Sequence, residues 1–505
     1  MESPSVVVVG AGPTGLATAC GLRLGGVSIR VLDRASGPAG TSRALGLQPR
    51  GAEVLDRLGS VGELAHRTRP IRQVVVNVGG RELARLAVGR PTQLVQRPGL
   101  IVSQVEIERA LRERLAALGP TVEWGRAVAD LRWIADAVEV VLADGELVRA
   151  GWVIGCDGAH SRVRAAAGIE FPGVPRSERF LLADVRAELG LSRDSVAVWL
   201  RGRDLVAAFP LPGPAAWRLM ATASDAADVA PEAVLDVLVS RFRPHTGTVP
   251  VVQACEWTST FQIHRRLASS YRRGRVLLAG DAAHVHSPLG GQGMNTGLGD
   301  AENLAWKLAM VVRGRAGDVL LDTYSAERRP IAEEVLASTG SLTELVLGGS
   351  LAARLVRDYA LVPLFNVPVV QRLIWEQASQ LKLSYRGGPL GDHSWGPRPR
   401  PGDRVTDIAG TREDGRPTRL HAELGARWVV IAPATRRGEA CTAAARQILG
   451  ADGLTRIMPA QRAHRVSVVR PDAHLAWSGR DPEALTRRLG RVLWDAPDPT
   501  RAARS

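Results

Sequence analysis

The 505-residue chain is longer than a single domain usually runs, so two or three domains and a large buried core are expected. With 45% hydrophobic and 23% charged residues it reads as a soluble globular protein. The formal charge of +14 comes almost wholly from scattered arginine, Lys307 and Lys382 being the only lysines; with no basic run among aromatics, no zinc spacing and no helix-turn-helix pattern, a nucleic-acid partner is not expected.

The cysteines Cys20, Cys156, Cys255 and Cys441 form no CxxC or CxxxxC pair, which argues against a disulfide framework, a metal site and a dithiol centre. A reduced cytoplasmic setting fits them. The uncharged stretch Ser5 to Leu22 is no expected signal or membrane span: Met1 to Pro4 supply no positive flank, and Gly10, Gly12, Pro13 and Gly15 interrupt it.

In chain order, "SVVVVGAGPTGLATACGLRLGGVSIRVLDR" predicts a buried strand (Val6 to Val9), a turn, a helix and a second strand (Ser28 to Leu32) ending at Asp33 and Arg34. Gly10 permits the tight turn, Gly12 lets backbone approach a pyrophosphate, and Gly15 lets helix and strand pack closely. Asp33 is placed to accept hydrogen bonds from ribose hydroxyls. One dinucleotide fingerprint is present, so a second nucleotide has no Rossmann unit of its own. Residues 71–100 and about 174–261 alternate apolar and polar with turn signals between, predicting antiparallel strands. Trp199, Phe209, Trp217, Trp257 and Phe261 on them are candidate pocket residues, although large aromatics on strands also serve simply as core. "AGWVIGCDGAHSRVRAAAGI" places Asp157-Gly158 after a strand, with Arg164 at the start of a helix, and "LLAGDAAHVHSPLGGQGMNTGLGDAENLAWKLA" places Gly280-Asp281 after another, then a glycine loop and a helix. His284 and His286 lack a carboxylate or cysteine at ligand spacing, so no metal is expected and packing beside the loop is their simpler role. After an apolar helical stretch (Leu345 to Leu383), "RGGPLGDHSWGPRPRPGDRVTD" marks a linker. The tail reads strand (Trp428 to Ile431), helix (Glu439 to Leu449), a strand pair (Val466 to Val469 and His474 to Trp477) about a Pro471-Asp472 turn, and helix (Pro482 to Leu493).

The GxGxxG, DG and GD fingerprints, with "SRALGLQPRGAEVLDRLG" and "LLDTYSAERRPIAEEVL", resemble in order and spacing the FAD-dependent aromatic hydroxylases of the para-hydroxybenzoate hydroxylase fold. The tail, with "RPGDRVTD" and "VVRPDAHLAW", resembles the thioredoxin-like domain of their phenol hydroxylase and aromatic polyketide hydroxylase branch. The resemblance implies an α/β fold: a Rossmann-like FAD-binding domain (1–70, 101–173 and 262–390, with a helical extension), an inserted, mainly antiparallel β-sheet substrate domain (71–100 and 174–261) and a thioredoxin-like domain (391–505). With Cys441 alone in its first helix, the tail is expected to be structural. Because no FAD fingerprint lies in it, its removal is expected to leave flavin bound.

The resemblance further implies non-covalent FAD, reduction by NADPH or NADH, and reaction with O2 to a C4a-hydroperoxyflavin that hydroxylates a phenolic, polycyclic polyketide-type aromatic. Gly10, Gly12, Gly15, Asp33, Arg34, Arg43 and Gln104 would hold the ADP half. Gly280, Asp281, Pro288, Gly290, Gly291, Gly293, Met294 and Asn295 would serve the ribityl chain and ring. Asp157 and Arg164 would serve both FAD and the visiting NAD(P)H. Arg43 is the one candidate catalytic side chain, with a structural FAD contact as its equal alternative. The sequence departs from the family pattern at Gly299, where glutamine is common, and at Gln48-Pro49. A flavin-dependent halogenase is disfavoured, since neither lysine suits hypohalous acid and a WxWxIP stretch is absent. Baeyer–Villiger oxygenation and a non-catalytic flavin-binding partner remain alternatives. The expected partner is a small aromatic molecule, with no nucleic acid and no membrane, and the expected state is monomer or homodimer.

Overall fold

A computed structural model describes residues 4–494 except 42, 43, 93, 203, 224–228, 287–290, 348–355, 393–398 and 462–463. At its centre stands a six-stranded sheet whose neighbours run Arg272–Arg273, Val276–Leu278, Trp152–Gly155, Val6–Val9, Ile29–Leu32 and Val122–Glu123, all parallel except the first. Val6–Val9 is buried along its whole length, as an unbroken apolar run must be when helices cover both faces of a parallel sheet. The fingerprint helix Pro13–Leu24 packs on the central helix Gly293–Val312 so closely that a Cβ at Gly21 or Gly25 would lie 2.7 Å from the Cβ of Ala305 or Ala309.

Gln73–Ala87 and Gly173–Leu267 supply seven strands of a second, eight-stranded sheet, completed by His284–Val285 at its edge against Val251–Leu267; it is antiparallel except where Ser195–Arg201 runs parallel to Gln73–Val78. Alternation along each strand gives the sheet two different faces. One carries Leu181, Val206, Leu219, Trp199 and Trp217 beneath the helix Val234–Thr246, whose Phe242 meets the Trp199 ring edge-on at 6.1 Å. This corrects the reading of Trp199 and Trp217 as pocket residues: the covering helix makes them core. The other face carries Phe180, Leu182, Leu205 and Met220, with half-buried Phe209, Trp257 and Phe261 beside them.

The tail forms a separate six-stranded sheet. It holds the expected strands Trp428–Ile431, Val466–Val469 and Leu475–Gly479 and the helices Arg436–Leu449 and Pro482–Trp494. The expected strand-helix-strand-strand-helix order is incomplete, because Leu454–Pro459 adds a strand parallel to Trp428–Ile431 and a hairpin (Ala409–Arg412, Pro417–Arg419) pairs beyond it. The tail is also no appendage. Trp428 meets Trp306 of the central helix edge-on at 5.3 Å, within an apolar cluster that joins Met310 and Leu320 to Val430, Leu449, Leu454 and Leu493. The turn at Pro471-Asp472 is driven into the body: Arg470, Asp472 and His474 are each about 1% exposed or less. Arg470 donates to both oxygens of Glu327 at 2.7 and 2.9 Å, Lys307 donates to Glu327 at 2.8 Å, and Asp472 accepts from Asn303 and Trp306, each at 3.2 Å.

This junction carries a pH prediction. Burial alone would raise the Glu327 pKa, but Arg470 and then Lys307 bring it from 4.5 down to about 2, and Asp472 is lowered by Arg470 and His474. A carboxylate whose pKa is depressed on folding stabilises fully above its unfolded value and loses that contribution as protons are forced onto it. The protein should therefore lose stability steeply as pH falls from about 4.5 towards 2. Thermal midpoints across that range check it, and a flat profile would contradict it.

Candidate active site

Four adjacent parallel strands each run into one of the sequence fingerprints. Val6–Val9 leads to Gly10–Gly15, Ile29–Leu32 to Asp33, Trp152–Gly155 to Asp157-Gly158 and Val276–Leu278 to Gly280-Asp281. Their carboxyl ends therefore open on one crevice, where open α/β sheets bind ligands. The loops interlock through missing side chains. A Cβ at Gly10, whose φ is +104°, would lie 2.3 Å from the Cys156 carbonyl oxygen, and one at Gly15 would lie 1.9 Å from the Gly10 carbonyl oxygen. Thr14, which the sequence did not single out, joins the remaining loop: Cβ atoms at Gly280 and Gly297 would come within 2.5 and 2.3 Å of its hydroxyl. Its signal was only its place between the fingerprint glycines.

Gly12 is different, for a Cβ there would meet nothing within 4 Å. The fingerprint helix starts at Gly12, and the central helix at Gln292, neither with a side-chain cap nor an acidic residue in the first turn. Ser103, Ser161 and Thr435 do cap the helices that follow them. Among the described residues, two helix ends at the fingerprint loops thus keep N–H groups without a side-chain cap and a partial positive charge, as an anionic pyrophosphate and an electron-rich ring require. Asp281 is exposed yet crowded by surrounding protein, as a side chain on a cleft wall is. That desolvation raises its pKa, His284 opposes the rise and Asp300 adds to it.

Several predicted ligands are already engaged within the protein. Asp33 accepts from Ala11 N at 2.6 Å and from Ala35 N at 2.8 Å, so it ties the first glycine loop to the end of the second strand. Asp157 accepts from Ser161 Oγ at 2.5 Å and from Arg162 N and Val163 N at 2.6 and 3.1 Å, which starts the following helix. Arg164 is buried over the Phe171 ring and donates to the carbonyls of Ala159 and Ala282, each at 2.9 Å, joining the DG loop to the GD loop. Asn295 accepts from Gln48 N at 2.9 Å and donates to the carbonyls of Gly46 and Gly291 at 3.0 and 2.9 Å, stapling the glycine loop to the segment beside it. Gln104 donates to Glu108 at 2.7 Å. Arg34 and Gly291 are exposed, while Gly293 and Met294 are half-buried at the start of the central helix. Arg43, Pro288 and Gly290 lie outside the described residues.

Sequence reasoning also missed what lies beneath the GD loop. Asp300, one turn into the central helix from Thr296, accepts from Gly280 N at 3.1 Å, from His284 Nε2 at 2.6 Å and from Arg328 Nε at 2.7 Å. His284 and His286 stack with ring centres 6.4 Å apart, and His284 is committed to Asp300.

The crevice, its uncapped helix ends and the interlocked fingerprints suit a flavin dinucleotide, and comparison with known proteins agrees: residues 3–339 match the model of the FAD binding domain family. The chain belongs to that family. It is 38% identical to 6-methylpretetramide 4-monooxygenase of Streptomyces rimosus, over 85% of this chain and 79% of that protein. It is 36% identical to rifampicin monooxygenase of Streptomyces venezuelae, over 96% of this chain and 97% of that one. Among solved structures it is similar to CabE, an aromatic hydroxylase from angucycline biosynthesis, with a TM-score of 0.80 and 32% identity over 98% of this chain and 100% of CabE. The protein is an FAD-dependent monooxygenase that works with NAD(P)H and O2.

Proposed function

We propose that this monooxygenase hydroxylates a phenolic, polycyclic aromatic of polyketide type. The observation that carries this reading is the half-buried face of the eight-stranded sheet, with Phe209, Trp257 and Phe261 beside one ion pair. Arg218 donates to both oxygens of Asp184 at 2.7 and 2.8 Å, and its guanidinium lies 5.3 Å from the centre of the Trp257 ring. An apolar aromatic wall with one fixed polar group suits a flat fused-ring substrate that must be oriented by a single oxygen. The helix Asp322–Leu347 of the FAD-binding part reaches two strands of this sheet, Asp204–Pro210 and Val251–Leu267, which supports reading the wall as lying beside the flavin crevice. The relatives named for 6-methylpretetramide and for angucycline biosynthesis point to the same substrate class.

In this reading Gly10, Gly12 and Gly15 admit the pyrophosphate, Asp33 holds the loop that meets the ADP half, and Arg34 and Gln104 border it. Asp281 accepts from the ribityl chain, and the start of the central helix, Gly293 to Asn295, presents N–H groups to the ring. FAD, when bound, accepts hydride from NAD(P)H and activates O2 for transfer to the substrate. The chain's own part is to hold the ring by backbone, to position the phenol against the aromatic wall and to keep water out. NAD(P)H, without a Rossmann unit, visits near the loop of Asp157 and Arg164.

The residue ranges 1–70, 101–173 and 262–390 then form the FAD-binding domain, 71–100 and 174–261 the substrate domain, and 391–505 a thioredoxin-like domain. The strand-helix-strand unit followed by hairpin and helix in the tail supports the last of these, and Cys441, buried without a second cysteine beside it, gives it a structural role. A cytoplasmic monomer or homodimer without nucleic-acid or membrane partners completes the reading. Among the described residues no helix is long and apolar enough to cross a membrane.

The test is NAD(P)H consumption by the yellow, FAD-loaded protein with a panel of polycyclic phenols, followed by identification of the product. One oxygen gained on an aromatic carbon supports the proposal. A ring-expanded lactone would mark Baeyer–Villiger chemistry, and no consumption with any phenol would overturn the substrate class.

A further inference from the structure

The tail reaches the GD loop through a line of buried side chains. Tyr385, at the join between body and tail, donates its backbone N–H to the Gly402 carbonyl at 2.8 Å, beside the bridge that pairs Ser384 with Asp403. Its ring is held from the tail side. The His474 ring lies 4.2 Å away centre to centre, and the Arg470 guanidinium lies 5.2 Å from the ring centre. The Tyr385 hydroxyl accepts from Arg328 Nη1 at 3.0 Å. Arg328 is about 1% exposed and spends its other nitrogens on Asp300 Oδ1 at 2.7 Å and on the Thr296 carbonyl at 2.9 Å. Gly299 makes room for it, since a Cβ there would come within 2.9 Å of Arg328 Nη2, which gives a physical reason for glycine where the family commonly has glutamine. Asp300 in turn holds Gly280 N and His284.

We propose that Tyr385 and Arg328 are positioning residues through which the C-terminal unit sets the GD loop for FAD. Each member of the chain is buried, and Arg328 bonds Tyr385, Asp300 and Thr296 at once. An arginine fork is planar and its donors are fixed, so turning it at Tyr385 turns it at Asp300 and Thr296 as well. Thr296 lies in the first turn of the central helix, so the same fork also holds the helix end that faces the crevice. The tail thereby takes part in cofactor binding without contributing an atom to the cofactor.

The inference rests on the reading that the GD loop holds FAD, and three variants separate the two. Asp281→Ala tests the loop directly. Tyr385→Phe removes only the acceptor for Arg328 and keeps the ring. Asp452→Ala loosens the tail elsewhere: Asp452 pairs with Arg313 and Arg315, each at 2.7 Å, at the far end of the central helix. For each, the Kd for FAD is measured with refilled apoprotein, and the visible circular dichroism of the bound flavin is recorded at saturating FAD. Tyr385→Phe should raise the Kd about tenfold, the factor equivalent to one hydrogen bond to a charged group, and should alter the flavin dichroism. Asp452→Ala should change neither. If Asp281→Ala weakens FAD while Tyr385→Phe matches wild type, or if Tyr385→Phe and Asp452→Ala act alike, the relay is wrong and the loop reading stands. If Asp281→Ala leaves the Kd unchanged, the loop reading fails and takes the relay with it.

Discussion

A chain ended after residue 392 should be recovered insoluble or unfolded, and without flavin. This reverses the expectation drawn from the absence of FAD fingerprints in the tail. Truncation removes Arg470 from the fully buried Glu327 and Arg404 from Glu53, while Asn303 and Trp306 lose Asp472. Removing one partner of a buried ion pair costs about 3–5 kcal/mol when the charge is left alone; Glu327 keeps Lys307 and Glu53 keeps Arg50 and Arg57, so each loss falls below that figure, yet together they count against an ordinary domain's stability of about 5–15 kcal/mol. It also opens the apolar cluster around Trp306, Met310 and Leu320 to water. Soluble yield and near-ultraviolet circular dichroism of the truncated chain decide the matter. A soluble product binding FAD as tightly as the full chain would show that the body tolerates the exposed charges.

How far the sequence could be read follows from which interactions are local. The fingerprints were legible because a strand, a glycine turn and a helix leave their pattern within about thirty residues, and the crevice needs only that four such strands lie side by side. The aromatic strands were legible only as strands. Trp199 and Phe209 look alike in sequence, and which is core depends on where the helix Val234–Thr246 lies, a fact of packing rather than of pattern. Leu454–Pro459 escaped notice because only Leu454 and Ile457 on it are buried, a spacing that does not alternate. Arg470-Pro471-Asp472 reads as a turn because its residue types favour one, but nothing local says that it is buried. Its burial depends on Glu327, Asn303 and Trp306, more than a hundred residues away in the chain. Arg328 and Asp300 were missed for the same reason: charged residues on helices are normally solvated, and only the assembled fold shows these two facing each other beneath the GD loop.

Two substitutions three residues apart should fail in opposite ways. Gly15→Ala should cost the fold itself, whereas Gly12→Val should cost only the cofactor. At Gly15 the added methyl would stand 1.9 Å from the Gly10 carbonyl oxygen and 3.0 Å from its carbon, backbone atoms that cannot swing aside, and 3.2 Å from Cys156 Cβ. Relief requires the first strand and the fingerprint helix to separate, a distortion of about 3 kcal/mol at least, since overpacking a close-packed site usually costs about 1–3 kcal/mol even where side chains can yield. At Gly12 the backbone is extended, φ −73° and ψ −179°, which any residue adopts, and the space ahead of it is clear of protein. Valine there should leave the thermal midpoint of the apoprotein unchanged while its methyl groups occupy the room the pyrophosphate needs, weakening FAD by about tenfold to a hundredfold, the equivalent of ~1.4–2.8 kcal/mol. Thermal unfolding of the two apoproteins, read with FAD titrations of whichever remains folded, separates the roles. If Gly12→Val bound FAD as tightly as wild type, the pyrophosphate would have to lie away from the end of the fingerprint helix, and the uncapped N–H groups there would need another explanation.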